Sequence, residues 1–380
     1  MAHDMNLYEE PFQMIRNGTK TVELRLNDEK RRKIHIGDQI FFHNSSDEYD
    51  VIRCKVTDLI AEDDFYRLYE HFSPVEMGYE EGEKADPADM YEYYPKEKID
   101  EYGVLGIVIE KSDDPYLVDS HMHLEYGPLS TDYVMAFVSE AVKKGLDEID
   151  ILDHTHRFRE FEACYEDLRR YEQQDVWLHQ KTKFCNTLDD YRKLIAEVKQ
   201  MDLPIRVKFG LEVCYTENTE DLLKDILKDT DFDFLTGAIH SVDGILYDMS
   251  FSDGLLWDQK DTGEIYRRYY EIALSLIRSG LFDRFAHPDQ LKLAGRDPGY
   301  DLSDTYHRIA EALKQMDMYG ENNSGIAYRY GHQDIGISDE MLKIFKEHKV
   351  KMITASDAHK PEDVGTLIRE ATFRARGGQE

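Results

Sequence analysis

Two rhythms of apolar residues divide the 380-residue chain. In the first 112 residues, short runs of strand character recur over 21–26, 38–43, 51–60 and 104–110, after a helical start over 9–17. Strands with few helices predict a small, partly open β-barrel. From Tyr116 onward the rhythm becomes strict alternation. Apolar runs over 116–119, 148–153, 205–213, 232–239, 281–286, 318–323 and 349–356 alternate with helical stretches near 131–145, 188–201, 220–229, 263–280, 302–316, 338–348 and 361–376. In the stretch 263–280, Ile265, Tyr269, Ile272, Leu276 and Ile277 fall on one helical face. Such succession means parallel βα units. The predicted class is α/β, a (β/α)-type barrel of seven units behind a small β domain. The polar, proline-ended joint Lys111–Pro115 marks the boundary, giving domains over 1–112 and 115–380.

Composition narrows the partners. The chain carries 78 Asp and Glu against 47 Lys and Arg, a formal charge of −31. Nonspecific grip on nucleic acid works by releasing counterions onto Lys and Arg, so this balance argues against it. Residues 62–101, acidic and rich in tyrosine, hold Pro74, Pro87 and Pro95 and predict a solvated helix-and-loop excursion. Cys54, Cys164, Cys185 and Cys214 are scattered with no CxxC pair, and the N-terminus lacks a basic and an apolar signal region. With no stretch of 18 apolar residues, the expectation is a cytoplasmic protein with free thiols.

The chemistry lies at the strand ends. Active sites of βα-barrels sit at the C-terminal ends of their strands. The residues that end the seven runs are His121 and His123, Asp153 and His154, Glu212, His240, His287, Asn322 and Asn323, and Asp357 and His359. One such residue is commonly a hydrogen-bonded structural group. HxH and DxH put both side chains on one face, because strand side chains alternate. Histidines mixed with carboxylates suit Zn, Fe or Mn rather than Ca or Mg, and they exceed the needs of one tetrahedral ion. Two or three divalent transition-metal ions are therefore expected, and clustered ions of this kind favour hydrolysis, phosphoester hydrolysis first.

The stretches DSHMH (119–123), ILDHTHRF (151–158), GLEVCY (210–215), GAIHSVDG (237–244), GLFDRFAHPD (280–289), ENNSG (321–325) and ITASDAHKPEDVG (353–365) together resemble the PHP metallophosphoesterases, most of all the histidinol-phosphate phosphatase branch. The resemblance implies a distorted (β/α)7 barrel. It further implies that His121 and His123 hold a first metal with Asp357, that Glu212 bridges two metals, that His240 and His287 hold a second, and that His154 and His359 contribute to a third. Glu212, Asp357 and His359 are its implied catalytic residues, and a metal-bridging hydroxide would attack phosphorus. The family usually has a further histidine soon after HxH; here 124–131 reads LEYGPLST, so either Glu125 or His156 substitutes or the third site is weak or empty. Phosphate also calls for cations. Arg157, directly after His154 and His156, is the leading candidate among Arg157, Arg159, Arg296, Arg329 and Lys360, with His156 as a second substrate-facing residue.

The stretch GTKTVELRLNDEKRRKIHIGDQIFF (18–42) resembles an ASCH domain, a PUA-like β-barrel. The resemblance implies a cleft for an RNA or nucleotide-like ligand at Lys20, Glu23 and Arg25. Three functions compete. A small-molecule phosphatase acting on a histidinol-phosphate-like or nucleotide monoester leads. An RNA- or nucleotide-processing hydrolase is weakened by residues 1–114 holding 14 basic and 28 acidic residues. A non-catalytic metal-bearing regulator has only the missing histidine in its favour.

Overall fold

The structure, a computed structural model, describes residues 1–376; the expected barrel limit at 380 lies outside them. The chain forms two compact units, Met1–Tyr116 and a second from Leu117 onward.

The first unit is one five-stranded sheet in the order β1-β3-β4-β5-β2, formed by β1 (Ala2–Leu7), β2 (Val22–Leu26), β3 (Gln39–Asn44), β4 (Asp47–Glu62) and β5 (Val104–Lys111). β1 and β3 pair in parallel, and the other pairs are antiparallel. The long β4 serves both halves, pairing with β3 and β5 and shifting register between Val56 and Asp58. A bulge of this kind lets one strand bend around a barrel. Two small cores result. Phe12, Ile15, Ile40, Phe42 and Ile107 fill one. Val22, Phe65, Leu68, Met77 and Ile99 fill the other. The acidic excursion supplies much of this second core, so its helices Phe65–Leu68, Pro74–Met77 and Lys96–Tyr102 are packed rather than merely solvated. The expected helix over 9–17 is present as Glu9–Asn17, ended by Gly18 at φ 79°. β1 was not expected; only Met5 and Leu7 of it are buried, too short an apolar signal to stand out.

The second unit holds a seven-stranded parallel sheet, β14-β13-β12-β9-β8-β7-β6 in order. Its strands are β6 (Val118–Met122), β7 (Glu148–His154), β8 (Arg206–Cys214), β9 (Phe234–Ala238), β12 (Arg284–Phe285), β13 (Tyr319–Asn323) and β14 (Met352–Ala355), with a short hairpin of β10 (Ser241–Val242) and β11 (Ile245–Leu246) after β9. Helices cover the outside and side chains fill the inside, so β6 and β13 are buried along their whole length. The sheet nearly closes. β6 and β14 meet through a single bridge, Met122 to Ala358, and through Ser120 Oγ donating to the Thr354 carbonyl at 2.7 Å and Thr354 Oγ1 to the Val118 carbonyl at 3.2 Å. This is the seven-stranded barrel expected from the alternation. Between β7 and the helix Leu188–Val198 stand 3-10 turns over Thr155–Arg157 and Arg159–Arg170 and a helix, Glu172–Leu178. Their tighter winding lacks the 3.6-residue period that sequence reading relies on, and none was predicted. Among the described residues, no helix is long and apolar enough to cross a membrane.

Candidate metal centre

The strand ends deliver their side chains to one carboxylate. Glu212 near the end of β8 is 1% exposed, and its two oxygens divide the histidines between them. Oε2 lies 3.4 Å from His121 Nε2, 3.4 Å from His123 Nε2 and 3.0 Å from His154 Nε2. Oε1 lies 3.1 Å from His240 Nε2 and 3.0 Å from His287 Nε2. The arrangement follows from the topology: parallel strands all end at the same mouth, and these side chains lie at or near the C-terminal ends of their strands. Asp357 and His359 join from the turn after β14. Asp357 Oδ1 stands 3.2 Å from His123 Nε2, and His359 Nε2 stands 3.4 Å from Glu125 Oε1.

Several features show that this cluster is held against local preference. His287 has φ 31° and Asp357 φ 56°. Non-glycine residues in the left-handed region carry a strain of about 1–3 kcal/mol, kept only where the surroundings enforce it. The Asp357 carboxylate receives Arg329 Nη1 at 3.0 Å. His121 donates from Nδ1 to the fully buried Glu321 Oε2 at 2.8 Å, which leaves its Nε2 lone pair facing the cluster. Glu321 was not singled out in the sequence. Its partner is 200 positions away, and within the run MYGENN its carboxylate precedes the two asparagines that drew attention. Those asparagines hold the backbone: Asn322 Nδ2 donates to the Ala371 carbonyl at 3.1 Å, and Asn323 Oδ1 accepts from Gly325 N at 2.8 Å.

Electrostatically the cluster is short of positive charge. Burial pushes Glu212 up, but the charge of His154, His121 and His240 holds it well below the ordinary carboxylate range. Burial and the neighbouring His154 and His359 press His123 well below the ordinary histidine value. His121 moves the other way: burial opposes its charge, but Glu321 and Glu212 raise it. His121 Nε2 and His123 Nε2 face each other at 2.9 Å, an approach that needs a proton or cation between two lone pairs. Glu212 Oε2, His123 Nδ1, His154 Nδ1 and His287 Nδ1 are buried without a hydrogen-bond partner. Buried polar atoms rarely go unpaired, and orphaned oxygens and imidazole nitrogens within coordination reach suit divalent transition metals. Among the described residues, four overlapping groups could each hold an ion: His121–His123–Asp357, His154–Glu212–His240, His123–His154–His359 and Glu125–His154–His156.

The substrate-facing expectations fare differently. Arg157 is 3% exposed. Its Nε donates to Asn186 Oδ1 at 3.0 Å, Nη1 to Asp153 Oδ2 at 2.9 Å and Nη2 to the Gly127 carbonyl at 2.9 Å. A guanidinium so committed fixes the loop Leu124–Leu129 with three of its five N–H donors, at the edge of the cleft it helps to line. His156 stands beside Glu125 Oε2 at 3.0 Å. A cleft of about 590 Å³ opens next to Glu125, bounded also by Tyr126, Leu129, Arg157, Lys181, Asn186, Asp190 and Lys193. In the first unit, Lys20, Glu23 and Arg25 do meet. Arg25 Nε lies 2.9 Å from Glu23 Oε1, and Lys20 Nζ lies 3.5 Å from Glu23 Oε2 while donating to the Met77 carbonyl at 2.7 Å. Gly78 is needed here: it has φ +100°, and a Cβ on it would approach Lys20 Cδ to 3.1 Å.

A PHP domain model matches residues 119–325, more than half of the chain, in the unit that carries this mouth. The chain belongs to the PHP family. An ASCH domain model matches residues 5–113. Among curated proteins, this PHP chain is 25% identical over 267 residues to a protein named "Probable histidinol-phosphatase" of Deinococcus radiodurans, covering 68% of the chain and 93% of that relative. A protein of the same name in Schizosaccharomyces pombe is 21% identical over 242 residues, covering 60% and 75%. Among solved structures, the histidinol phosphate phosphatase of Lactococcus lactis, complexed with Zn, L-histidinol and phosphate, superposes with a TM-score of 0.51 at 20% identity, over 70% of this chain and 94% of that one. That likeness is one of fold.

Proposed function

We propose that this PHP protein is a metal-dependent phosphoesterase hydrolysing a small phosphate monoester of the histidinol-phosphate type. One observation carries the reading: five imidazoles converge on the two oxygens of the buried Glu212. In this reading His121, His123 and Asp357 would hold a first ion and His240 and His287 a second, with Glu212 available to both and His154 and His359 beside it. Bound divalent ions supply Lewis acidity toward water and toward phosphoryl oxygens. The remaining work falls to the chain. Glu321 keeps the His121 tautomer whose Nε2 is free to ligate. Arg329, with its side chain 24% exposed and set on Asp357, places a guanidinium at the mouth for a phosphate oxygen. Arg157 and Asp153 fix the loop that carries Glu125, and Asp153 Oδ1 accepts from Leu124 N at 2.9 Å. The cleft beside Glu125 is of a size to bury the organic part of a small substrate. The names of the curated relatives support histidinol phosphate as the first substrate to try.

The test is release of phosphate from L-histidinol phosphate, nucleotides and sugar phosphates by protein stripped of metal and then reloaded with Mn, Zn or Fe. Activity that appears only on reloading, greatest with histidinol phosphate, is expected. Undiminished activity in stripped protein would sink the reading. The regulator alternative is not favoured by an intact ligand set. A ligand role for the first unit rests on the enclosed Lys20–Glu23–Arg25 group. Titration of that unit's fluorescence with mononucleotides tests it, and a flat response from all of them retires it.

A further inference from the structure

Beyond the ligands already described, one side chain stands where a metal would. Lys183 is almost fully enclosed, its side chain 6% exposed. Its Nζ lies 2.6 Å from His156 Nε2 and 3.9 Å from Glu125 Oε2. Those two atoms are themselves 3.0 Å apart. With His154 they make up one of the four groups able to hold an ion. The lysine is built into position. Trp177 lies 4.3 Å beneath its Nζ, a cation–π contact. The chain just after it is strapped down, with Phe184 N donating to the His156 carbonyl at 2.7 Å and Asn186 N to the Arg157 carbonyl at 3.2 Å. Phe184 itself is held at φ 49°. A long, flexible side chain would swing to solvent unless the enclosed position repaid the lost freedom and desolvation. Here a carboxylate, an imidazole and an aromatic face all meet one ammonium.

We infer that Lys183 is the cation of the Glu125–His154–His156 group, so that the loaded protein carries two divalent ions per chain and not three. The inference rests on the metal-dependent reading above. An ion at this group would have to displace the ammonium, because two cations cannot share acceptors 3.0 Å apart. Lys183 is a positioning residue: it fixes the charge of Glu125 at the edge of the cleft and spares the protein a third ion.

The experiment counts metal. Wild type, Lys183→Met and Lys183→Arg are saturated with Mn or Zn, desalted and measured by elemental analysis, with folding checked by thermal melting. Two ions per chain are expected in wild type and Lys183→Arg, and three in Lys183→Met. Glu125→Gln, measured in parallel, should stay at two and gives a second reading should Lys183→Met fail to fold. Three ions in wild type, two in a folded Lys183→Met, or a fall to one in Glu125→Gln would each overturn the inference. Three ions in an active wild type would leave the phosphoesterase reading intact. No ion in an inactive wild type would defeat that reading first, and this inference with it.

Discussion

Glu212 in the barrel and Glu23 in the first unit are both buried carboxylates ringed by nitrogen, yet their surroundings differ in kind. Glu23 sits between the permanent charges of Lys20 and Arg25, and a backbone carbonyl and a tyrosine hydroxyl take up further donors. Its ionic partners are permanent cations, which hold the carboxylate but cannot ligate a metal. Glu212 meets histidines, which are neutral or charged as the neighbours dictate and whose ring nitrogens carry lone pairs when neutral. The contrast separates a carboxylate held by permanent cations from one held by groups that can ligate a metal. Buried atoms without a hydrogen-bond partner occur in both, at Glu23 Oε2 and Arg25 Nε as at Glu212 Oε2; asking which nitrogens can offer a lone pair tells the two apart.

Substitutions can break or sharpen that contrast. The largest effect should come from Glu212→Gln, which removes the shared carboxylate: phosphatase activity should fall by roughly 10³-fold or more, and bound metal with it, as seen by assay and elemental analysis. A fall below tenfold would remove Glu212 from the centre. Arg157→Met leaves Asp153 buried without its ion-pair partner, at a cost of about 3–5 kcal/mol, read as a lower melting temperature. If the melting temperature holds but KM for the phosphate substrate rises sharply, Arg157 is a substrate contact instead. Glu321→Gln touches no ion directly and should weaken metal affinity about 10–100-fold through His121, measurable by competition with a chelator. Smallest of all, Lys20→Met should change histidinol-phosphate hydrolysis less than about twofold, while lowering stability by about 1–3 kcal/mol through the stranded Glu23. A large loss of activity in Lys20→Met would show that the two clusters share a task.

The strand ends were legible because a parallel barrel turns chain order into convergence: a reader who finds the seven apolar runs also finds His121, His154, Glu212, His240, His287 and Asp357. The position of Lys183 was not legible, because it lies in an irregular segment after unpredicted 3-10 turns and reaches its partners through a fold-specific turn at Phe184. The surroundings of Arg157 were out of reach for a related reason. Sequence shows a cation beside a cluster of ligands but not the three acceptors that already occupy it. The excursion over 62–101 looked solvated from its charge, yet Phe65, Leu68, Met77 and Ile99 at wider spacing were enough to make a core.

The seam of the barrel gives the ligand set a mechanical meaning. β6 and β14 are the first and last strands of the ring, and the hydroxyls that join them come from residues 234 and 236 positions apart. The Met122–Ala358 bridge and Ser356, which donates from N and Oγ to the Asp119 carboxylate at 2.8 and 2.5 Å, supplement those contacts. His121 and His123 lie on one side of this join, Asp357 and His359 on the other. Ligands drawn together across it act as a clasp whose two halves are the start and finish of the barrel. Closing so long a loop is entropically costly, so a chelator should loosen this join ahead of the rest. Hydrogen exchange would then report it first, in the amides of residues 118–123 and 352–359.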